Sequence, residues 1–138
     1  MRVFADTAYF IALLNGKDTA HASALSYARQ SFREIVVTDF VLLELADAFS
    51  RPPDRGDFLT MDGHVRRTPA YTVVPVSSDL LQRGRELFAA RPDKSWSLTD
   101  CTSFVVMQEH GLTDALTTDQ HFIQAGYRAL LALSHASQ

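Results

Sequence analysis

Short apolar runs alternate with amphipathic stretches along the whole chain. Arg2 to Ala5 reads as a buried strand, and Asp6-Thr7 then stands where a helix begins, running through Leu14 and ending at Asn15-Gly16. In residues 21–33, Ala24, Leu25, Ala28 and Phe32 form one stripe of a second helix. Residues 35–38, Ile-Val-Val-Thr, are a buried strand. Asp39 is placed to cap a helix with Leu42, Leu45, Ala46 and Phe49 on one face, stopping ahead of Pro52-Pro53. Pro53 suits the first position of a further helix bearing Phe58, Met61 and Val65, with Gly63 as its weak point. Residues 71–76 are a β-branched strand, and Ser78-Asp79 opens a helix to about Ala90 with Leu80, Leu81, Leu87 and Phe88 inside. Ser97-Leu98-Thr99-Asp100 has the spacing of a capping box ahead of the apolar run Phe104-Val105-Val106-Met107, and Gly111 fits the left-handed position after that helix. Residues 115–118 and 128–133 complete the strands.

Strands separated by helices pair in parallel through right-handed crossovers, which predicts an α/β fold: a three-layer α/β/α sandwich around a mostly parallel sheet of four to five strands. Ligands of such folds bind at the carboxyl ends of the strands. No repeat, linker or long charge run divides the 138 residues, so 1–138 are read as one domain, with a folded surface of about 7,000 Å². The 46% hydrophobic and 21% charged composition is that of a globule and excludes disordered or collagen-like classes. Apolar runs reach only about ten residues, too short to span a membrane. Asp6 directly behind a very short apolar run argues against a signal peptide, and the single Cys101 cannot form an internal disulfide or a paired-cysteine zinc site. Both features predict a cytoplasmic protein. The net charge of −3 argues against a general polyanion binder, so any nucleic-acid contact must be local.

The charge differs by type: 12 of the 16 acids are Asp, a residue that favours caps, turns and metal sites over helix interiors. Asp6 and Asp119 each follow a predicted strand, Asp100 lies in the first turn of the helix preceding the fourth strand, and Glu44 lies about one turn into the helix after the second. All four fall at one edge of the sheet. Unpaired carboxylates crowded within about 4 to 6 Å repel one another, so such a cluster exists to hold cations. With no His or Cys at matching positions, the oxygen donors favour Mg²⁺ or Mn²⁺ over Zn²⁺. Divalent ions held by carboxylates serve phosphodiester hydrolysis by activating water and stabilising charge on phosphorus and the leaving oxygen. The chemistry is that of a nuclease.

These residues also carry a family resemblance. Val3-Phe4-Ala5-Asp6-Thr7-Ala8-Tyr9-Phe10, Val41-Leu42-Leu43-Glu44-Leu45, Ser97-Leu98-Thr99-Asp100-Cys101-Thr102-Ser103-Phe104 and Ala115-Leu116-Thr117-Thr118-Asp119-Gln120-His121-Phe122 resemble, in order, the four motifs of the PIN-domain ribonucleases, specifically the VapC-like toxins. The resemblance implies a PIN-like sandwich, an acidic tetrad of Asp6, Glu44, Asp100 and Asp119 that is both catalytic and metal-binding, and hydroxyls from Thr7 and Thr117 near the metal. It further implies a Mg²⁺- or Mn²⁺-dependent endoribonuclease acting on RNA, a cognate antitoxin that inserts a segment into the acidic cleft, and a homodimer, for whose interface the apolar residues on the helices around Phe58 or Leu87 are the candidates. The other readings are a solitary PIN protein that processes RNA, or an RNA-binding or assembly module. A phosphoacceptor receiver domain fits poorly, because Asp6 has no paired acid and the only lysines are Lys17 and Lys94.

Each residue also has an ordinary reading. Asp6 alone could cap a helix, Asp100 could serve only its capping box, Glu44 could be solvated and Asp119 a turn residue; the joint order of the motifs favours the site. Asp114 precedes the fourth strand and is read as a turn residue at the opposite sheet edge. Cys101 is read as structural, since neighbouring carboxylates suppress its thiolate. His121 could touch a phosphate, with half-buried packing as the default. Trp96 is assigned to the core rather than to base stacking. Arg51, Arg55, Arg66 and Arg67, interleaved with Asp54, Asp57 and Asp62, are read as a solvated face, with phosphate or subunit contact as the alternative. Two bound divalent ions would move the formal charge from −3 to about +1, so the global balance says little about substrate.

Overall fold

The computed structural model of the chain describes residues 1–132. Five strands, β1 (Arg2–Ala5), β2 (Glu34–Thr38), β3 (Tyr71–Val74), β4 (Asp114–Leu116) and β5 (Arg128–Ala129), form one sheet in the order β3-β2-β1-β4-β5. Every pairing is parallel. Seven helices flank it: α1 (Thr7–Leu14), α2 (His21–Ala28), α3 (Asp39–Ala48), α4 (Arg55–Arg67), α5 (Ser78–Ala90), α6 (Leu98–Glu109) and α7 (Gln120–Gln124). The predicted α/β/α sandwich is the observed one, with an accessible surface of 7531 Å².

The sheet interior explains the apolar strand runs, because both faces are covered. Val3, Phe4 and Ala5 of β1 and Val36 and Val37 of β2 are completely buried. The chain builds β1, β2 and β3 outward in one direction, then returns past β1 to place β4 and β5 on its other side. That reversal makes the carboxyl ends of β1 and β4 a switch point, where doubly wound sheets leave a crevice.

Several local expectations need correction. Asp39 does not cap α3. Thr38 does, its Oγ1 accepting from the Val41 N–H at 3.0 Å, while Asp39 in the first turn pairs with Arg66 at 2.6 Å. Pro53 is not the first residue of α4. Both prolines lie in a turn closed by the Asp54 N–H on the Arg51 carbonyl, and the helix starts at Arg55. α2 stops at Ala28, not Arg33, because the Arg33 N–H donates to the Met1 carbonyl and the chain must already be extended to enter β2. β3 stops at Val74, since Pro75 has no N–H for the ladder. On α5 the buried face runs through Leu80 and Gly84, leaving Phe88 on the flank at 52% exposure.

β4 begins one residue earlier than expected and ends at Leu116, because Thr117 turns its hydroxyl to side-chain partners described below. Asp114 is therefore a buried strand residue at the expected edge, 3.6 Å from Arg128, rather than a turn residue. β5 spans only Arg128–Ala129 and residues 130–132 are helical; the expected end of that strand at Leu133 lies outside the described residues.

Packing fixes α6 and α7, which carry Asp100 and Asp119 at their amino ends. Trp96 sits edge-on to Phe104 at 5.0 Å between centroids, Phe104 edge-on to Phe122 at 4.9 Å, and Phe122 lies 6.2 Å from Phe4 of β1. This chain of rings ties the loop before α6, both helices and the central strand into one unit. Trp96 is 5% exposed, as its core assignment requires, and its indole N–H donates to Gln124. Gly84 lets α5 approach α6, since a Cβ there would meet Thr102 Cγ2 at 2.6 Å. Gly111 ends α6 with φ +65, the left-handed conformation expected of it.

Candidate active site

The switch point gathers its side chains from four elements. Asp6 follows β1 directly, and its N–H donates to the Leu116 carbonyl at the end of β4, so the two strand ends are locked together. It occupies the N-cap position of α1 but makes no side-chain cap hydrogen bond. The ordinary capping reading therefore does not account for this carboxylate. Its Oδ2 instead accepts from the Thr117 hydroxyl at 2.8 Å. Thr117 Oγ1 also accepts from the Asp119 N–H at 3.0 Å, so one completely buried hydroxyl links two of the acids.

The remaining acids are held from neighbouring helices. The Thr7 hydroxyl donates to Glu44 Oε1 on α3 at 2.5 Å. Asp100 completes the predicted capping box of α6: its N–H donates to Ser97 Oγ, and its Oδ2 accepts from the Ser97 N–H at 3.0 Å. Asp119 caps α7, its Oδ1 accepting from the His121 N–H at 2.9 Å. Each carboxylate thus has one oxygen anchored by the protein. Glu44 Oε2, Asp100 Oδ1 and Asp119 Oδ2 make no hydrogen bond among the described residues.

A cleft of about 390 Å³ opens over these groups, lined by Asp6, Thr7, Glu44, Ser97, Asp100, Asp119 and His121 among others. The four predicted acids and Thr7 share this one cavity, while Thr117 lies beneath it, bonded to Asp6. A larger cavity of about 570 Å³, lined by Tyr9, Phe32, Met61 and Tyr71, has no carboxylate in its wall and offers packing rather than chemistry.

The electrostatics are those of an uncompensated anionic site. Among the described residues no arginine or lysine forms an ion pair with Asp6, Glu44, Asp100 or Asp119. Burial pushes the Asp6 carboxyl from its ordinary value of 3.8 up to about 7; Asp100 and Glu44 add to the rise, and the Thr117 hydroxyl and Thr7 backbone N–H oppose it. Burial, reinforced by Asp100, also raises the Cys101 thiol, so its structural reading stands.

Sequence reasoning weighed one further residue only as a phosphate contact or as packing. His121 does not merely pack: its ring Nδ1 lies 3.0 Å from Asp100 Oδ2 and 3.4 Å from Asp119 Oδ1. Donor atoms of Asp100, Asp119 and His121 all lie within 4.8 Å of one another. The expectation of a site without histidine is corrected accordingly. The available signal was its position two residues after a helix-capping acid, which turns the ring back toward the cap. Asp100, Asp119 and His121 are close enough to share a divalent metal ion, with Asp6 and Glu44 lining the same cleft, and the charge of such an ion would offset the burial and the repulsion that raise Asp6.

The sequence profile of the PIN domain matches residues 3–126. The chain is 26% identical over 125 residues to the 23S rRNA-specific endonuclease VapC20 of Mycobacterium tuberculosis, covering 91% of this chain and 95% of that protein. The crystal structure of VapC20, described as a sarcin-ricin loop cleaving toxin, superposes with a TM-score of 0.82 at 25% identity, covering 91% of this chain and 95% of that one. FitAcB from Neisseria gonorrhoeae superposes with a TM-score of 0.67 at 12% identity, over 94% of this chain and 95% of that one. VapBC2 from Rickettsia felis, bound to a promoter DNA fragment, superposes with a TM-score of 0.64 at 14% identity, over 94% and 96%. The last two speak to the fold alone.

Proposed function

This chain belongs to the PIN-domain family, and we propose that it is a metal-dependent endoribonuclease, the toxin component of a type II toxin-antitoxin pair, with residues 1–138 as a single PIN-like nuclease domain. The observation that carries the reading is the set of four carboxylates at the switch point, each held by one oxygen and unpaired by arginine or lysine among the described residues. Its similarity to VapC20 over nine-tenths of the chain supports RNA as substrate and makes ribosomal RNA the first substrate to test.

Asp6, Asp100 and Asp119 would hold the ion, Mg²⁺ or Mn²⁺, with Glu44 binding a second ion or orienting the attacking water. A bound divalent cation supplies Lewis acidity and charge compensation for hydrolysis of an RNA phosphodiester. The protein's own contribution is positioning. Thr117 keeps one Asp6 oxygen fixed beside Asp119, Thr7 aims Glu44 inward from α3, and the capping box prevents Asp100 from rotating away. Groups already oriented need no reorganisation when charge develops at the phosphate.

A cognate antitoxin partner is part of this reading. An arginine of an inserted antitoxin segment would meet the acids this chain leaves unpaired. A homodimer is proposed with it, in a cytoplasmic protein; no helix among the described residues is long and apolar enough to cross a membrane. Half-exposed Phe88 and the 65%-exposed Leu59 stand next to the residues expected at the dimer interface. The test is cleavage of ribosomal and total RNA by the wild-type chain and by Asp6→Asn, with Mg²⁺ or Mn²⁺ and with chelator, followed by 5′-end sequencing. Cleavage confined to wild type plus metal is expected; metal-dependent cleavage by the variant at the wild-type rate overturns the assignment.

A further inference from the structure

The imidazole of His121 adds a nitrogen to what is otherwise a set of oxygen donors. Its place follows from the local fold. Asp119 caps α7 through the His121 N–H, and this short loop of chain folds the ring over Asp119 Oδ1. From the other side, the Ser97 N–H holds Asp100 Oδ2 where the ring Nδ1 reaches it at 3.0 Å. The ring and the Asp119 carboxylate are therefore held together from α7, and the Asp100 carboxylate separately from the amino end of α6. Donors at right angles around a small dication, with bonds of about 2.1 Å, lie about 3.0 Å apart. The separations of 3.0 and 3.4 Å are near that value. The His121 side chain is 30% exposed and lines the same cleft as Asp6 and Glu44, so it faces the place an ion would take.

We propose that His121 is a nitrogen ligand of the metal site and sets its metal preference, favouring Mn²⁺ over Mg²⁺. The inference rests on the metal-dependent reading above. Mg²⁺ is hard and keeps oxygen ligands and water, whereas transition-metal dications gain from an imidazole nitrogen. Replacing the imidazole by an amide returns the site to oxygen donors, which removes the advantage of Mn²⁺ and leaves Mg²⁺ binding nearly as it was.

The experiment titrates the whole chain calorimetrically with Mn²⁺ and with Mg²⁺, as wild type and as His121→Asn, and records pulsed electron paramagnetic resonance of the Mn²⁺-loaded wild type. The expected results are a loss of Mn²⁺ affinity of about tenfold or more in the variant, a Mg²⁺ affinity changed by less than about twofold, and nitrogen modulation of the Mn²⁺ signal in wild type. The resonance measurement needs no variant and is independent of RNA cleavage. Equal losses for both ions, or Mn²⁺ bound without nitrogen modulation, overturn the role of His121 and leave the metal site standing: the ring then only ties two carboxylates together. Failure of wild type to bind Mn²⁺ overturns the metal-dependent reading itself.

Discussion

The two ends of the sheet carry acids in opposite electrostatic circumstances. At the amino end, Glu34 of β2 accepts from Arg2 of β1 and from the Thr72 hydroxyl, and these partners hold its carboxyl below the ordinary range. Asp114 of β4, at the same end, lies 3.6 Å from Arg128. At the carboxyl end, Asp6, Glu44, Asp100 and Asp119 share a cleft with an imidazole, and burial drives Asp6 up to about 7. An acid paired with arginine across strands stabilises the fold by itself. Acids clustered without such a partner repel one another, and on the metal-dependent reading a bound divalent cation would offset that cost.

The largest effect is expected from Asp6→Asn, which should slow RNA cleavage by more than about a hundredfold while keeping the fold, read by initial rates beside circular dichroism. The same variant tests the electrostatic contrast. Because the folded state binds the Asp6 proton more tightly than the unfolded chain does, this residue's contribution to stability falls as pH rises from about 4 to about 7 and is flat above. Urea unfolding in chelator should show that fall in wild type and not in Asp6→Asn. Glu34 has the opposite sign: its contribution is present above about 4.5 and is lost as pH falls through its lowered value. If Asp6→Asn leaves the pH profile unchanged, the contrast between the edges fails.

Adding a divalent cation should remove the difference. Mn²⁺ at a hundred times its dissociation constant should raise the unfolding free energy by about 2.7 kcal/mol, reversibly with chelator. Thr117→Val deletes the hydroxyl that donates to Asp6 and accepts from the Asp119 N–H; cleavage should slow about tenfold and stability fall by about 1 kcal/mol. The smallest change belongs to the other edge. Arg2→Ala should cost at most about 1 kcal/mol in urea unfolding, with no change in cleavage rate.

Much of this arrangement is legible in the chain itself. The periods of apolar residues locate all five strands and every helix but α7, the Ser97-x-x-Asp100 spacing foretells the capping box, and Asp6 lies directly beyond a strand where ligands of parallel sheets collect. These signals are short-range, written in neighbours three or four residues apart. They falter where neighbouring residues compete for one role, as when Thr38 takes the cap expected of Asp39, or when two prolines close a turn ahead of α4.

What the sequence by itself determined, then, is the order of elements and the candidate acids at their ends. Tertiary structure alone decided how those acids are held: that Asp6 turns from capping α1 to meet Thr117, 111 residues away, and that the His121 ring reaches Asp100 across 21 residues. The latter depends on how α6 and α7 stack through Phe104 and Phe122, a packing outcome that no local periodicity encodes. Local propensity acts through neighbours in the chain, whereas the character of an ionisable site depends on burial and on partners brought from distant segments.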